Sequence, residues 1–199
     1  MVNQPSFNPN NRASFESAIY SKRAVTDVFE PGSTMKSFTV AAAFQLGTST
    51  AFSVINTSPG QIRVGNNTIR DAANYGESDI TKILQKSSNV GATKIALSMT
   101  AEEMWKALDK FGFGLGTNSR FPGEADGKIG DYWRWNKMQQ ASRAYGYGMQ
   151  VTALQLARAY SVLANDGLLK PISFLKLDQA PDGDRVISAR VASQVRKML

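Results

Sequence analysis

The sequence predicts an α+β domain made mainly of helices. Apolar residues recur at helical spacing from residue 34 onward, whereas only two runs, 62–70 and 171–178, read as strand. Such strands are too few and too short for a sheet of ordinary size. The 199 residues are 42% hydrophobic and 10% aromatic, enough for one domain with its own core and too apolar for a disordered chain.

Residues 1–12 (MVNQPSFNPNNR), rich in Asn, Pro and Ser, read as an extended loop. Pro31-Gly32-Ser33 interrupts the chain, and a helix follows from about Thr34 to Leu46. Met35, Phe38, Ala42 and Leu46 form one apolar stripe, while Val40, Ala41, Ala43 and Phe44 fill the other sides; a helix apolar nearly all round is a buried helix. Residues 62–70 read as a hairpin turning at Gly65-Asn66-Asn67. Ser78 is placed to cap a helix over 79–86, with Ile80, Ile83 and Leu84 inward. After a break at Ser87-Ser88-Asn89, a second helix carries Val90, Thr93, Ile95, Ala96 and Met99. Thr100 with Glu103 is a capping-box signal for a helix ending near Gly112. Residues 112–150 are a long stretch of Gly, Pro, Asn and aromatics with a short helix over 136–144. Residues 151–166 form another helix, with Leu154, Leu156, Ala157, Tyr160, Leu163 and Ala164 toward the core. Pro171 opens a strand (ISFLKLD), and a last helix starts near Ser188 with Val191, Val195 and Leu199 inward. The chain ends inside that helix and its loop-like start has no evident partner, so it reads as a piece of a larger domain.

The chain has no cysteine and no histidine. That excludes a Ser-His-Asp triad, a thiol nucleophile, a disulfide framework and a His-ligated metal. Any hydrolytic or transfer chemistry must use Ser, Thr, Lys, Tyr or carboxylates. The formal charge of +7 permits an anionic partner, but the basic residues form no run of five or more, and neither a phosphate-binding Gly-rich loop nor a dinucleotide fingerprint is present. No stretch has the roughly 18 apolar residues of a membrane span.

Between Glu30 and Arg63 the only charged residue is Lys36, three residues after Ser33 and in the first turn of the helix read as buried. Positions i and i+3 share a helix face. Burial disfavours the ammonium form and lowers a lysine pKa, and a neutral lysine beside a hydroxyl is a usable general base. Free backbone N–H groups at the helix start would add a partial oxyanion site. The alternative is Ser33 as a plain N-cap with Lys36 reaching to solvent. A second Ser-x-x-Lys, Ser173 to Lys176, lies in the strand-like run, where i and i+3 face opposite sides. Ser87 and Asn89, two apart at a helix break, offer a hydroxyl and a carboxamide to one site; the alternative is a turn with Asn89 capping the next helix. Tyr145-Gly146-Tyr147-Gly148 is a tight turn or a close backbone approach, its rings read as packing; Trp133 and Trp135 line a groove or cover the core, and Asp27 and Glu30 are surface or structural acids.

These residues carry a family resemblance. The segment from Arg23 to Lys36 (RAVTDVFEPGSTMK) resembles the active-serine segment of class B penicillin-binding proteins, and Lys86-Ser87-Ser88-Asn89-Val90-Gly91 resembles their Ser-x-Asn motif. Phe121-Pro122-Gly123-Glu124 and the run from Tyr145 to Tyr160 match segments typical of the family, and Gln4 to Asn10 is similar to the division-type, penicillin-binding protein 3 subgroup. The resemblance extends in order to about residue 170. It implies the β-lactamase/transpeptidase-like fold, of which residues 1–199 would hold the helical part without the N-terminal strands. The family's Lys-Thr-Gly or Lys-Ser-Gly motif is absent, no lysine here being followed by Ser/Thr-Gly.

The activity implied is that of a serine D,D-transpeptidase of septal cell-wall synthesis. Ser33 would attack the D-Ala-D-Ala carbonyl of a peptidoglycan stem peptide and pass the acyl group to a neighbouring amine. Lys36 would be the base, Ser87 the proton shuttle, Asn89 the holder of the substrate amide and a guide for Lys36, and Tyr147 a substrate contact. β-Lactams would acylate Ser33. No cofactor or metal and no nucleic acid is implied. The implied location is the periplasmic face of the bacterial inner membrane, with the anchor and the contacts to division-machinery membrane proteins outside this chain. Without the Lys-Thr-Gly strand the chain is expected to be weak or inactive alone. A β-lactamase or β-lactam sensor of the same fold, with Glu124 as deacylating base, and a non-catalytic basic interaction module are the alternatives.

Overall fold

The helix that is apolar on every side organises the structure. The computed structural model describes residues 21–199 together with Gln4, Asn8 and Asn10; most of the loop read over 1–12 lies outside the described residues. A short α1 (Arg23–Thr26) and β1 (Val28–Phe29) lead into a 3-10 turn (Gly32–Met35) that runs directly into α2 (Lys36–Leu46). Every residue of α2 from Lys36 to Phe44 is buried. Phe38 is ringed edge-on by Phe111, Phe113 and Tyr160, with centroids 5.0, 5.1 and 4.8 Å away. Gly47 in the left-handed conformation stops the helix.

The strands are short and pair only locally among the described residues. β2 (Val54–Asn56) pairs with β5 (Glu77–Asp79), and between them β3 (Gln61–Val64) and β4 (Asn67–Arg70) form the expected hairpin, Val64 opposite Asn67 across Gly65-Asn66. α3 (Ile80–Gln85) and α4 (Asn89–Leu97) follow, then α5 (Ala101–Lys110), which carries the predicted capping box of Thr100 and Glu103. After a long irregular stretch come α6 (Lys137–Arg143), β6 (Val151–Thr152) and α7 (Ala153–Ala164). β7 (Leu168–Leu169) pairs with β8 (Asp184–Arg185), and α8 (Ala189–Arg196) ends the chain's regular structure. α2 packs against α4, α5 and α8, α4 also against α6, and α7 against α8 and α1. None of the helices among the described residues is long and apolar enough to cross a membrane.

Four local expectations are corrected. Ser78 is a buried strand residue whose hydroxyl donates to the Tyr75 carbonyl; Asp79, one residue later, accepts the Lys82 amide and caps α3. In α7, Leu163 is fully buried and Leu156 and Tyr160 pack against the core as expected, whereas Leu154, Ala157 and Ala164 do not join it; Gln155, Ala159 and Val162 take the most buried positions. Gln155 is accommodated by donating to the Leu115 and Asp126 carbonyls. Residues 171–178 form no strand: Phe174, Leu175 and Leu177 are exposed and no segment pairs with them among the described residues. The last helix ends at Arg196, so Leu199 lies beyond it, exposed, and Met198 is buried instead.

The turn holding Ser33 is fastened from behind. β1 pairs with β6, Val28 opposite Thr152. The Gly32 amide donates to the Gly146 carbonyl at 3.2 Å, and the Glu30 carboxylate accepts the Gly148 amide at 2.8 Å. A Cβ on Gly146 would sit 2.1 Å from the Gly32 oxygen, on a backbone with φ of +82°, so only glycine permits the approach. Gly148, φ +72°, has side-chain space, its nearest neighbour being Ser142 Oγ at 3.7 Å. Gly148→Ala should therefore cost only the backbone term, about 1–2 kcal/mol. Gly146→Ala should cost clearly more, and denaturant unfolding of the two variants side by side checks the order; equal losses would contradict it.

Candidate active site

Ser33 is exposed in the 3-10 turn, while Lys36, the first residue of α2, is only 2% exposed. In a 3-10 turn side chains at i and i+3 eclipse. Lys36 Nζ accordingly lies 3.0 Å from Ser33 Oγ. Ser87, at the junction of α3 and α4, brings its own Oγ to 2.8 Å from Nζ and 2.9 Å from Ser33 Oγ. The three atoms form a closed triangle in which each pair is within hydrogen-bond distance. Nζ also donates to the Ser87 carbonyl. Ser87 is left-handed, φ +53°, which turns both its carbonyl and its hydroxyl onto the amine; for a non-glycine residue that conformation costs about 1–2 kcal/mol.

Burial lowers the Lys36 pKa from 10.5 to about 8, against a smaller opposing pull from the charge of Asp71. At pH 7.5 roughly a quarter of the amine is then neutral, against about one part in a thousand for an ordinary lysine. The plain N-cap reading of Ser33 is excluded, since its hydroxyl caps nothing and Lys36 does not reach solvent. The Ser33 amide lies in the first turn, where no intrahelical acceptor exists. The turn is held by Thr34 Oγ1 on the Pro31 carbonyl and by the Tyr160 hydroxyl on the Thr34 carbonyl, at 2.8 and 2.9 Å.

The geometry unites Ser33, Lys36 and Ser87. Asn89 stands at the same bend but does not touch Lys36: its Nδ2 donates to the Arg70 carbonyl at 3.2 Å, and Ser88, not Asn89, caps α4 through the Gly91 amide. The hold on Lys36 expected of Asn89 is exerted by Ser87. Tyr147 is 53% exposed, next to the Gly146–Gly32 contact, with its ring edge-on to Tyr145 at 5.8 Å. Glu124 is fully engaged by the hydroxyls and amides of Thr117 and Ser119, which pins its own loop. Arg143 lies over the Trp135 ring at 4.4 Å, so Trp135 packs within the protein while Trp133 is exposed.

One residue went unnoticed in the sequence. Asp71, immediately after β4, accepts the Ser88 hydroxyl at 2.6 Å and the amides of Asn89 and Val90 at 2.5 and 2.9 Å. An isolated Asp after a hairpin gives no sign of a partner 17 to 19 residues on.

A hydroxyl, a buried amine and a bridging second hydroxyl on a helical α+β scaffold form an arrangement capable of serine–lysine acyl transfer. The chain matches the penicillin-binding protein transpeptidase domain over residues 1–199 and belongs to that family. It is 43% identical over 199 residues to a probable peptidoglycan D,D-transpeptidase PenA of Neisseria flavescens and covers 49% of that protein. It is 40% identical over 199 residues to the peptidoglycan D,D-transpeptidase FtsI of Escherichia coli and covers 34% of it. The chain thus spans half or less of the length of these curated relatives. Among solved structures it is similar to the transpeptidase domain of penicillin-binding protein 3 from Burkholderia pseudomallei, with 42% identity, a TM-score of 0.86, and coverage of 89% of this chain and 54% of that one. A peptidoglycan glycosyltransferase from Burkholderia ambifaria superposes with a TM-score of 0.88 at 41% identity, covering 90% of this chain and 58% of that one.

The lowered pKa has a consequence for stability. Between pH 8 and 10.5 the folded chain holds less of the Lys36 proton than the unfolded chain, so rising pH favours the folded state. Comparison with Lys36→Met isolates this contribution. The stability difference between the two should move toward the parent by about 1.4 kcal/mol per pH unit within that window, as read by denaturant unfolding at a series of pH values; a flat difference would contradict it.

Proposed function

We propose that the protein carrying this chain is a serine D,D-transpeptidase that cross-links peptidoglycan. The observation that carries this reading is the Ser33–Lys36–Ser87 triangle, with all three contacts between 2.8 and 3.0 Å around a buried amine. In acylation, neutral Lys36 takes the proton from Ser33 Oγ as the oxygen attacks the penultimate D-alanine carbonyl. The C–N bond breaks, and the proton passes through Ser87 Oγ, which touches both Nζ and Ser33 Oγ, to the departing D-alanine amine. The acceptor amine then attacks the acyl-serine, gives up a proton along the same route, and restores Ser33. The Ser33 amide is placed to donate to the tetrahedral oxyanion. Asn89 and Tyr147 hold the stem peptide, and β-lactams acylate Ser33 as mimics of its D-Ala-D-Ala end.

Similarity to FtsI supports a role in septal synthesis at the periplasmic face of the inner membrane, alongside division-machinery membrane proteins. The Lys-Thr-Gly signature is absent from the 199 residues, and the isolated chain is proposed to acylate slowly for that reason. A β-lactamase is disfavoured because Glu124 is committed to Thr117 and Ser119. A non-catalytic module would leave the burial of Lys36 against two hydroxyls without a use.

Labelling of the natural gene product with a fluorescent penicillin tests the proposal. Ser33→Ala should abolish the covalent adduct, and Lys36→Ala should slow its formation by about 10²-fold or more. The parent's acylation rate should rise with pH through about 8, where Lys36 loses its proton. Labelling that survives Ser33→Ala, or a rate flat from about pH 5 to 9, would overturn it.

A further inference from the structure

Arg143 on α6 is only 7% exposed, yet no carboxylate stands beside it. Its Nε donates to the Ile129 carbonyl at 3.0 Å and its Nη1 to the Gln139 carbonyl at 2.9 Å, while its Nη2 has no protein acceptor among the described residues. Burial holds the guanidinium below its usual pKa, and no acidic neighbour offsets the effect. Two adjoining clefts, of about 390 and 430 Å³, share Lys128, Gly130 and Arg143 as walls. Two more donors stand there. The exposed Lys128 ammonium has no ion-pair partner among the described residues, and the Trp135 indole N–H, beneath the Arg143 guanidinium, is buried without an acceptor. Glycine at 130 keeps this corner open: a Cβ there would lie 3.3 Å from Arg143 Nη2 and 3.7 Å from Trp135 Nε1. The walls are fixed, Lys128 by paired backbone bonds with Gln150 at 2.7 Å and Gly130 by the Trp105 indole on its carbonyl at 2.8 Å. The acids that line the clefts have other partners: Glu30 accepts the Gly148 amide, and Asp131 lies 3.7 Å from Arg134. A buried cation is poorly tolerated unless it is paired. Three donors without an acceptor suit an anion, and a planar guanidinium suits a carboxylate.

Resting on the reading of the protein as a peptidoglycan transpeptidase, we infer that the cleft at Arg143 and Lys128 is a subsite for a carboxylate of the peptides being cross-linked, other than that of the reacting D-Ala-D-Ala end. The cleft flanks the catalytic turn. Glu30 and Gly148, whose contact fastens that turn, line it, and Tyr147 lies between Gly148 and the Gly146 that touches Gly32. The reacting end is seated at Ser33, so the carboxylate belongs elsewhere on a strand: on the one that acylates Ser33, or on the one whose amine attacks. Arg143 Nη2 donates to a carboxylate oxygen and Lys128 adds a second positive charge. Stacking on Trp135 and the bonds to Ile129 and Gln139 already hold the guanidinium, so binding needs little further ordering of it.

Peptide binding to the natural gene product carrying Ser33→Ala, which forms no acyl-serine, tests the subsite. Two probe pairs are titrated by calorimetry. One is a short peptide ending in D-Ala-D-Ala with a side-chain carboxylate upstream, against its carboxamide twin; the other is an amine-bearing acceptor peptide in the same two forms. At least one pair should favour the carboxylate by about tenfold, and the pair that does so identifies the strand that uses the subsite. Lys128→Gln and Arg143→Gln should each cut the preference to about threefold or less. Lys137→Gln, at the start of α6 but outside the clefts, should keep it, which a simple net-charge effect would not allow. Equal affinity within both pairs overturns the inference. So does a preference that survives Lys128→Gln and Arg143→Gln, or one that falls as far in Lys137→Gln. If Arg143→Gln does not fold, the exposed Lys128 decides alone. Penicillin labelling of the unmodified gene product reads the transpeptidase assignment separately: without an adduct that assignment fails, while the binding preference still decides on the subsite.

Discussion

Everything in this site depends on one uncompensated burial. The Lys36 amine is taken out of water without a contacting carboxylate, and what it receives in exchange are two hydroxyls and a carbonyl. A buried ammonium with only neutral partners is poorly stabilised, so the proton leaves at a pH where exposed lysines keep theirs. The same contacts that receive the amine hold its nitrogen 3.0 Å from Ser33 Oγ. Basicity and placement thus come from one packing arrangement, without a histidine.

That burial needs a rigid frame on both sides. On one side the Ser33 turn is fixed by glycine-to-glycine backbone contact, by β1 against β6 and by Tyr160 reaching from α7 to the Thr34 carbonyl. On the other the α3–α4 bend is fixed by Asp71 and by Ser88. Neither clamp touches the nucleophile. Between them the three contacts around it measure 2.8 to 3.0 Å. The folding cost is visible in Ser87, held left-handed at the point where the two halves meet.

Much of this was legible in the sequence because it is written in local patterns. The apolar surround of Lys36 announced a buried helix, and Thr100 with Glu103 announced a cap three residues wide. Ser33, Lys36 and Ser87 were all named as candidates, and the structure brings them together. What escaped was set by distant partners. Asp71 matters through amides 18 and 19 residues on, and Gly146 through a carbonyl more than a hundred residues earlier in the chain. Part of the inward face of α7 was missed because hydrophobicity cannot show that Gln155 finds two carbonyls inside. The run 171–178 has strand-like residues, but strands form only where another segment offers its backbone, and none among the described residues does.

The central claim is that the Lys36 amine gives up its proton near pH 8, so that an appreciable share of it is neutral near physiological pH. Carbon-13 NMR of lysine-labelled protein, with the Lys36 signal assigned by its loss in Lys36→Arg, measures this without any substrate. The account predicts a titration midpoint near 8 for Lys36. A Lys36 midpoint at about 10 or higher, the range of an ordinary exposed lysine, would contradict it.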